Sequence, residues 1–174
     1  MNALEQVIAG KIRREGPMTF AAFMEMALYH DDLGYYTAPH RTIGREGDFY
    51  TSPHLHPIFG AVLAKVLMEM WQAIGEPAVF HLIEMGAGAG HLMKDILDYL
   101  NHGGPGEEGK RRLAASLTLF IVEPYGHFRE KQRLNLGSFS HRIRWVDSVE
   151  DLPSRLTGCL FSNELLDAFP VHRV

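Results

Sequence analysis

The feature that most constrains the fold is a glycine-rich turn that directly follows a short apolar run. Residues 79–85 form the run, and the turn reads Glu84-Met85-Gly86-Ala87-Gly88-Ala89-Gly90. An amphipathic stretch from Gly90 to about Leu100 comes next. A bounded apolar run predicts a buried strand, and glycines after it let the backbone turn tightly while helix amides face a ligand. The sequence therefore predicts a strand, a tight turn and a helix, in that order.

The same alternation continues to the end of the chain. Apolar runs at residues 117–122, 143–146 and 159–162 predict three more strands, and residues 125–136 predict a helix between the second and third. Alternation of strands and helices favours a parallel, doubly wound α/β sheet, and strands this apolar favour helices on both faces, which makes three layers. Right-handed crossovers then predict the spatial order third, second, first, fourth.

The first 76 residues have a different hydrophobic pattern, which predicts helices. Residues 4–12 carry apolar positions at helical spacing, and Thr19 is placed to cap a second helix. A third helix from about Pro57 to Ile74 carries an apolar stripe that we expect to pack in the core: Phe59, Val62, Leu63, Val66, Leu67 and Met70. We therefore divide the chain into a helical extension over 1–76 and a sheet domain over 77–174.

Composition narrows the partners and the compartment. The net charge of −4 leaves no broad basic surface for a nucleic acid, and we expect the basic run at residues 110–112 to be a solvated part of a glycine-rich loop. Because the chain has one cysteine, it can form no internal disulfide. No apolar stretch approaches the roughly 20 residues that span a bilayer. These features predict a cytoplasmic protein that binds neither nucleic acid nor membrane.

The details of the glycine turn indicate which cofactor it suits. A dinucleotide fingerprint would place its third glycine at the position of His91, whereas this chain has Gly90. Glu84, at the end of the strand, would repel a pyrophosphate but would suit the amino group and sulfonium of S-adenosylmethionine. We therefore predict that Glu84, Gly86, Gly88 and Gly90 bind S-adenosylmethionine, with a nicotinamide cofactor as the less favoured alternative.

Two further acids follow the next two strands. Glu123 comes directly after the second strand, where a carboxylate can accept hydrogen bonds from both ribose hydroxyls of an adenosine. Asp147 follows the third strand, where it could contact the adenine amino group. Both are predicted cofactor-binding residues, and the alternative for each is a solvated loop acid.

A polar segment leaves the fourth strand and supplies the candidate catalytic residues Asn163, Glu164 and Asp167. Ligands of open α/β sheets bind beyond the carboxyl ends of the strands, so these side chains are placed to meet a methyl acceptor. Two carboxylates can orient a guanidinium through charge-assisted hydrogen bonds. The alternative is that both acids cap the following turn.

Five segments together resemble the MidA-type family of methyltransferases, and they occur in this order: Gly34-Tyr35-Tyr36, Gly47-Asp48-Phe49-Tyr50-Thr51-Ser52-Pro53, the glycine turn, Val122-Glu123-Pro124 and Asn163-Glu164-Leu165-Leu166-Asp167-Ala168-Phe169-Pro170-Val171. The resemblance implies protein arginine N-methylation linked to assembly of respiratory complex I, in the mitochondrial matrix for eukaryotic members. It also implies that Asp48, Thr51 and Ser52 belong to a segment that folds over the cofactor. The family usually carries proline and arginine where this chain has Ala87 and Ala89.

The resemblance also bears on length and on the alternatives. Family members are about twice this size, so the sheet is expected to be truncated after its fourth strand. Two explanations stay open: the chain is a fragment, or a second chain is a partner that completes the sheet. His54 and His56 lack further candidate ligands, so we predict no metal site. A module that binds S-adenosylmethionine without turnover, or that assists assembly, remains the main alternative to an enzyme.

Overall fold

The computed structural model describes residues 1–38, 56–102 and 107–173. They form two compact units, a smaller one with residues 1–38 and 164–173 and a larger one with residues 56–102 and 107–163. Asp48, Thr51, Ser52 and His54 lie outside the described residues. The domain boundary at residue 76 stays a prediction.

The smaller unit contains two helices, α1 (Ala3–Glu15) and α2 (Phe20–Tyr29). The predicted cap of α2 is confirmed, because the Thr19 hydroxyl accepts a hydrogen bond from the Ala22 amide at 3.2 Å. The chain returns to this unit at a single 3-10 turn, Leu166–Ala168. There the Tyr29 hydroxyl donates to the Ala168 carbonyl at 2.9 Å, which ties α2 to the returning segment.

The larger unit is an α/β sheet with the predicted topology. Its elements in chain order are α3 (Ile58–Ala73), β1 (Phe80–Met85), α4 (His91–Asn101), α5 (Glu108–Ser116), β2 (Leu117–Val122), α6 (Gly126–Leu136), β3 (Ile143–Val146) and β4 (Gly158–Ser162). All four strands are parallel and lie in the order β3-β2-β1-β4. The predicted strands, their direction and their spatial order are therefore confirmed.

The two faces of the sheet are covered differently. On one face, Phe80, Leu82 and Ile121 pack against the buried sides of α3 to α6. Ile83, Phe120 and Val122 point to the opposite face, because side chains alternate along a strand. Leu152, in the connection between β3 and β4, packs against them there. That connection contains a 3-10 turn, Val149–Asp151, so the α-helical layer expected on this face is not found among the described residues of the larger unit. The crossover nevertheless passes over the second face, as the doubly wound topology requires.

The side of helix α3 that faces the core differs from the predicted one. Its buried residues are Gly60, Ala64, Leu67 and Trp71, and of the predicted stripe Leu67 alone is fully buried. Phe59 and Leu63 are half-buried, while Val62, Val66 and Met70 are exposed. The small residues set the orientation, because they let α3 approach α4 closely. No helix within the described ranges is long and apolar enough to cross a membrane.

The basic run at residues 110–112 lies on a helix and not in a solvated loop. Lys110 in α5 is buried, pairs with Glu107 at 2.5 Å and lies 3.9 Å from the centre of the Tyr99 ring. Arg112 pairs with Glu76. The prediction of a loop was therefore wrong. The prediction of solvation was wrong for Lys110 but is confirmed for Arg111 and Arg112, which are exposed. Lys110 is buried because a long basic side chain can bury its stem while its charge contacts an acid or a ring.

The close approach of α3 and α4 gives a stability prediction. A Cβ at Gly60 would overlap the Cβ of Asp95 and lie 3.0 Å from the Ile96 nitrogen, which is backbone. We expect Gly60→Ala to lower the free energy of unfolding by about 1–3 kcal/mol, despite the better helix propensity of alanine. Urea denaturation of the full-length protein measures the change.

Gly109→Ala is the matched control. This glycine lies in α5, and its added Cβ would meet Met68 Sδ at an ordinary 3.7 Å. Its unfolding free energy should stay equal or rise slightly. Equal effects of the two substitutions would contradict the packing argument.

Candidate functional site

The carboxyl ends of the four strands form one row. Met85 pairs in register with Val122 and with Ser162, and Val122 pairs with Val146. The residues one position further along each strand are therefore neighbours at this edge: Gly86, Glu123, Asp147 and Asn163. Parallel register thus brings together residues that are up to 77 positions apart in the sequence (163 − 86).

The glycine turn at the end of β1 has the backbone conformations that only glycine adopts without strain. The φ angles of Gly86, Gly88 and Gly90 are 73°, 54° and 82°. The Gly90 amide donates to the Ala87 carbonyl at 2.7 Å and closes the turn before α4. Among the described residues, a Cβ at Gly88 would meet nothing within 4 Å, so none of them blocks the approach of a ligand to this backbone.

Glu84 is a buried acid with an unsatisfied oxygen. Its side chain is 3% exposed, and the Met93 backbone amide in the first turn of α4 hydrogen bonds to the carboxyl group. Within the described part of the chain, Oε2 has no hydrogen-bond partner. Burial raises the pKa of Glu84 to about 8, and the Met93 amide opposes this only in part.

Glu123 is a second buried acid, at the end of β2. Its Oε1 accepts from the Tyr125 amide and its Oε2 from the Gln132 side-chain amide, both at 3.1 Å. Burial raises the pKa of Glu123 to about 7, while these two hydrogen bonds and the positive charge of Arg129 act in the opposite direction. With the partners found in the described part of the chain, each carboxylate oxygen keeps one lone pair, so the group can still accept two hydrogen bonds from a ligand.

Asp147 is held by an arginine and is otherwise exposed. Arg129 on α6 donates through Nη2 to Asp147 Oδ1 at 2.5 Å and through Nε to the Glu123 carbonyl at 2.6 Å. The Asp147 side chain is 75% exposed. Arg129 thereby joins the ends of β2 and β3, and a role for Asp147 in contacting adenine stays a prediction.

Helix α6 carries a polar face that contacts the strand ends. Gln132 is fully buried, and its amide nitrogen donates to the Gly88 carbonyl at 2.9 Å as well as to Glu123, while its oxygen accepts from Trp145 Nε1 at 2.8 Å. Asn135 donates to the Ala89 carbonyl at 3.1 Å. The helix therefore holds the glycine turn and the acid after β2 in one hydrogen-bonded network.

Sequence reasoning missed this network, although one signal for it exists. Phe128, Gln132 and Leu136 recur at helical spacing, and all three are buried. A glutamine in the middle of a buried apolar stripe must find hydrogen-bond partners, so its position indicates a buried polar contact. The identity of those partners depends on tertiary structure.

The three candidate catalytic residues fall in different units. Asn163 follows β4 in the larger unit, whereas Glu164 and Asp167 belong to the smaller one. Glu164 has a φ of 51°, an uncommon conformation for a residue with a side chain. The 3-10 turn at Leu166 begins without a side-chain cap. The capping role considered for the two acids therefore has no support at this turn.

The residues at the strand ends fit S-adenosylmethionine. Its sulfonium and amino group are cationic, and Glu84 presents a buried oxygen that is unsatisfied among the described residues. Its ribose has two hydroxyls, and Glu123 has two acceptor positions left. No described residue crowds the backbone beside Gly88.

The raised pKa of Glu84 predicts a pH-dependent stability. Because the folded-state pKa of about 8 exceeds the usual 4.5, the contribution of this group is fully present below about pH 4.5 and is lost as the pH rises through 8. Glu84→Gln is neutral at every pH, so we expect it to raise the free energy of unfolding at pH 9 by about 2–4 kcal/mol and to change it little at pH 5. Chemical denaturation at both pH values measures this.

Glu69→Gln serves as the control, because Glu69 is an exposed acid on α3. It should shift stability similarly at both pH values. A Glu84→Gln profile parallel to that of the wild type would show that Glu84 is ionised in the folded protein throughout the range.

A family model described as "Putative S-adenosyl-L-methionine-dependent methyltransferase" matches residues 62–174. The match covers β1 to β4, the glycine turn, both buried acids and the segment after β4.

Curated relatives resemble the chain along nearly its whole length. Protein arginine methyltransferase NDUFAF7, mitochondrial, from Danio rerio is 32% identical over 95% of this chain and 42% of its own length. The protein of the same name from Homo sapiens is 30% identical over 94% of this chain and 40% of its own length. The chain thus spans about two fifths of the curated relatives it matches.

A solved structure shows the same fold with a ligand. A crystal structure of a superfamily member from Burkholderia thailandensis, bound to S-adenosyl-homocysteine, is 32% identical and superposes with a TM-score of 0.78. It covers 97% of this chain, and this chain covers 42% of it. Since the family model matches well over half of the chain, the chain belongs to this family of S-adenosyl-L-methionine-dependent methyltransferases.

Proposed function

We propose that the full-length protein transfers a methyl group from S-adenosylmethionine to an arginine side chain of a protein. The observation that carries the proposal is Glu123, a buried acid held at the end of β2 with two acceptor positions left, in register with the glycine turn. The names of the curated relatives, protein arginine methyltransferases, support the acceptor class.

Each candidate cofactor-binding residue has a distinct role. When bound, S-adenosylmethionine supplies the activated methyl group. Glu123 accepts hydrogen bonds from the ribose hydroxyls, and Glu84 offers a carboxylate to a cationic group. Asp147, with Arg129 fixing its carboxylate, borders the adenine end. The covering role of Asp48, Thr51 and Ser52 rests on the family resemblance alone.

On the acceptor side, Asn163, Glu164 and Asp167 orient the guanidinium. An arginine side chain stays charged at physiological pH, so its orientation calls for carboxylates, and methyl transfer at nitrogen also requires that a proton be accepted. The unusual φ of Glu164 supports a functional role, because strained backbone conformations are concentrated at active and ligand-binding sites.

The surroundings of Asp167 also suit a guanidinium. Burial and the negative charge of Asp167 together raise the pKa of Tyr36. The Tyr36 ring stacks on Tyr29 at 5.6 Å and meets Tyr35 edge-on at 5.1 Å. A carboxylate next to aromatic rings combines an ion-pair partner with faces for cation–π contact, both of which favour arginine.

The compartment and the protein substrate remain at the level of prediction. The animal relatives are named mitochondrial, whereas composition alone predicts the cytoplasm. The link to complex I assembly comes from the family resemblance. The nicotinamide alternative considered from the glycine turn is not supported, because the family is one of methyltransferases.

The cofactor assignment predicts a loss of affinity on substitution of Glu123. In the full-length protein, Glu123→Ala should weaken binding of S-adenosylhomocysteine by about 1–3 kcal/mol, since hydrogen bonds to a charged acceptor are lost. Titration calorimetry measures the affinity, and circular dichroism checks the fold. Wild-type affinity in a folded variant would remove Glu123 from the site.

The acceptor assignment predicts a separation of turnover from cofactor binding. Glu164→Gln and Asp167→Asn should each lower methyl transfer to an arginine-containing protein by about tenfold or more, while affinity for S-adenosylhomocysteine stays within about twofold. Transfer of a radiolabelled methyl group measures turnover. Glu25→Gln, an exposed acid on α2, is the matched control and should leave turnover unchanged. Wild-type rates in both variants would show that these acids have no role in catalysis.

A further inference from the structure

One buried side chain contacts both halves of the candidate cofactor site. Gln132 donates to the Gly88 carbonyl in the turn after β1 and to Glu123 Oε2 after β2, at 2.9 and 3.1 Å. It lies on α6, and its own exposure is 0%. No ligand needs to touch it for it to influence both contacts.

The orientation of the Gln132 amide follows from its partners. The Trp145 indole can only donate, so the oxygen of Gln132 faces it at 2.8 Å. The Gly88 carbonyl can only accept, so the NH₂ group faces the turn. With the amide held from both sides, its second N–H is aimed at Glu123. A buried amide with these three partners has one orientation, which makes it a rigid support.

The hydrogen bond from Gln132 affects the charge of Glu123 as well as its position. A donor at Oε2 favours the ionised carboxylate, which is the form that accepts from two hydroxyls. Other charged groups lie at the same edge of the sheet. Arg129 on α6 acts on it directly, Asp147 beyond β3 pairs with Arg129, and Glu84 titrates on β1.

We propose that Gln132 is a positioning residue for cofactor binding, which holds Glu123 in register with the glycine turn through its bonds to Glu123, Gly88 and Trp145. The proposal rests on the cofactor site proposed above. It assigns to α6 the spacing between the acid and the turn, because the pairing of β1 with β2 ends at Met85 and Val122 and does not itself connect Glu123 to Gly88.

The test is the pH dependence of S-adenosylhomocysteine affinity in the full-length protein, measured by calorimetry from about pH 5.5 to 9. Gln132→Met keeps the length of the side chain and removes both donors. It should weaken binding on the order of tenfold near pH 7, and the pH at which affinity rises should move upward. The profiles are compared as differences from the wild type, because Glu84 titrates in the same range.

Trp145→Phe provides a second variant in case Gln132→Met does not fold. It keeps an aromatic ring but frees the Gln132 oxygen, so it should shift the profile in the same direction by a smaller amount. Gln72→Met, at an exposed glutamine on α3, is the matched control and should leave the profile unchanged.

The outcomes separate this proposal from the proposed function. If the wild type does not bind S-adenosylhomocysteine, the cofactor site itself is wrong. If the wild type binds and the folded Gln132 or Trp145 variant loses affinity equally at every pH, the residue has a structural role only and the positioning proposal is overturned. Unchanged affinity and an unchanged profile would overturn it as well.

Discussion

The site depends on the common register of the parallel strands. Because β1 pairs in step with both β2 and β4, and β2 in step with β3, the four strands end at one line. A slip of one residue would move Glu84 from the helix-covered face to the other face and carry it away from the Met93 amide. The apolar core on both faces opposes such a slip, so the energy of core packing also secures the geometry of the site.

The two buried acids are the electrostatic consequence of that arrangement. Glu84 and Glu123 lie where helices and strands exclude water, so both have raised pKa values and both are costly to ionise without a ligand. A cationic cofactor would compensate Glu84, while ribose hydroxyls would complete the hydrogen bonding of Glu123. The fold thus holds two buried acids whose ionisation and hydrogen bonding a ligand would stabilise. Acids with pKa values shifted in this way are concentrated at functional sites.

Much of the architecture could be predicted, because it depends on local patterns. Apolar runs bounded by polar turns located all four strands, and the handedness of crossovers gave their order. The prediction failed where a pattern allowed several packings. Helix α3 is apolar on most of its surface, so periodicity could not identify the arc with Gly60 and Ala64 as the buried one. Lys110 was expected in solvent because its segment was taken for a loop, and because the Tyr99 ring that it contacts lies on a different helix.

The sequence by itself determined the sheet, its order and the positions of the glycine turn and of Glu123 at strand ends, since these follow from hydrophobic period and chain direction. Tertiary structure alone decided how those groups are held. Gln132 bonds to Gly88, 44 residues away along the chain, and to Trp145 on a different strand. Such contacts follow no sequence period, because a buried amide bonds to whichever donors and acceptors the packing of α6 against the sheet brings within reach.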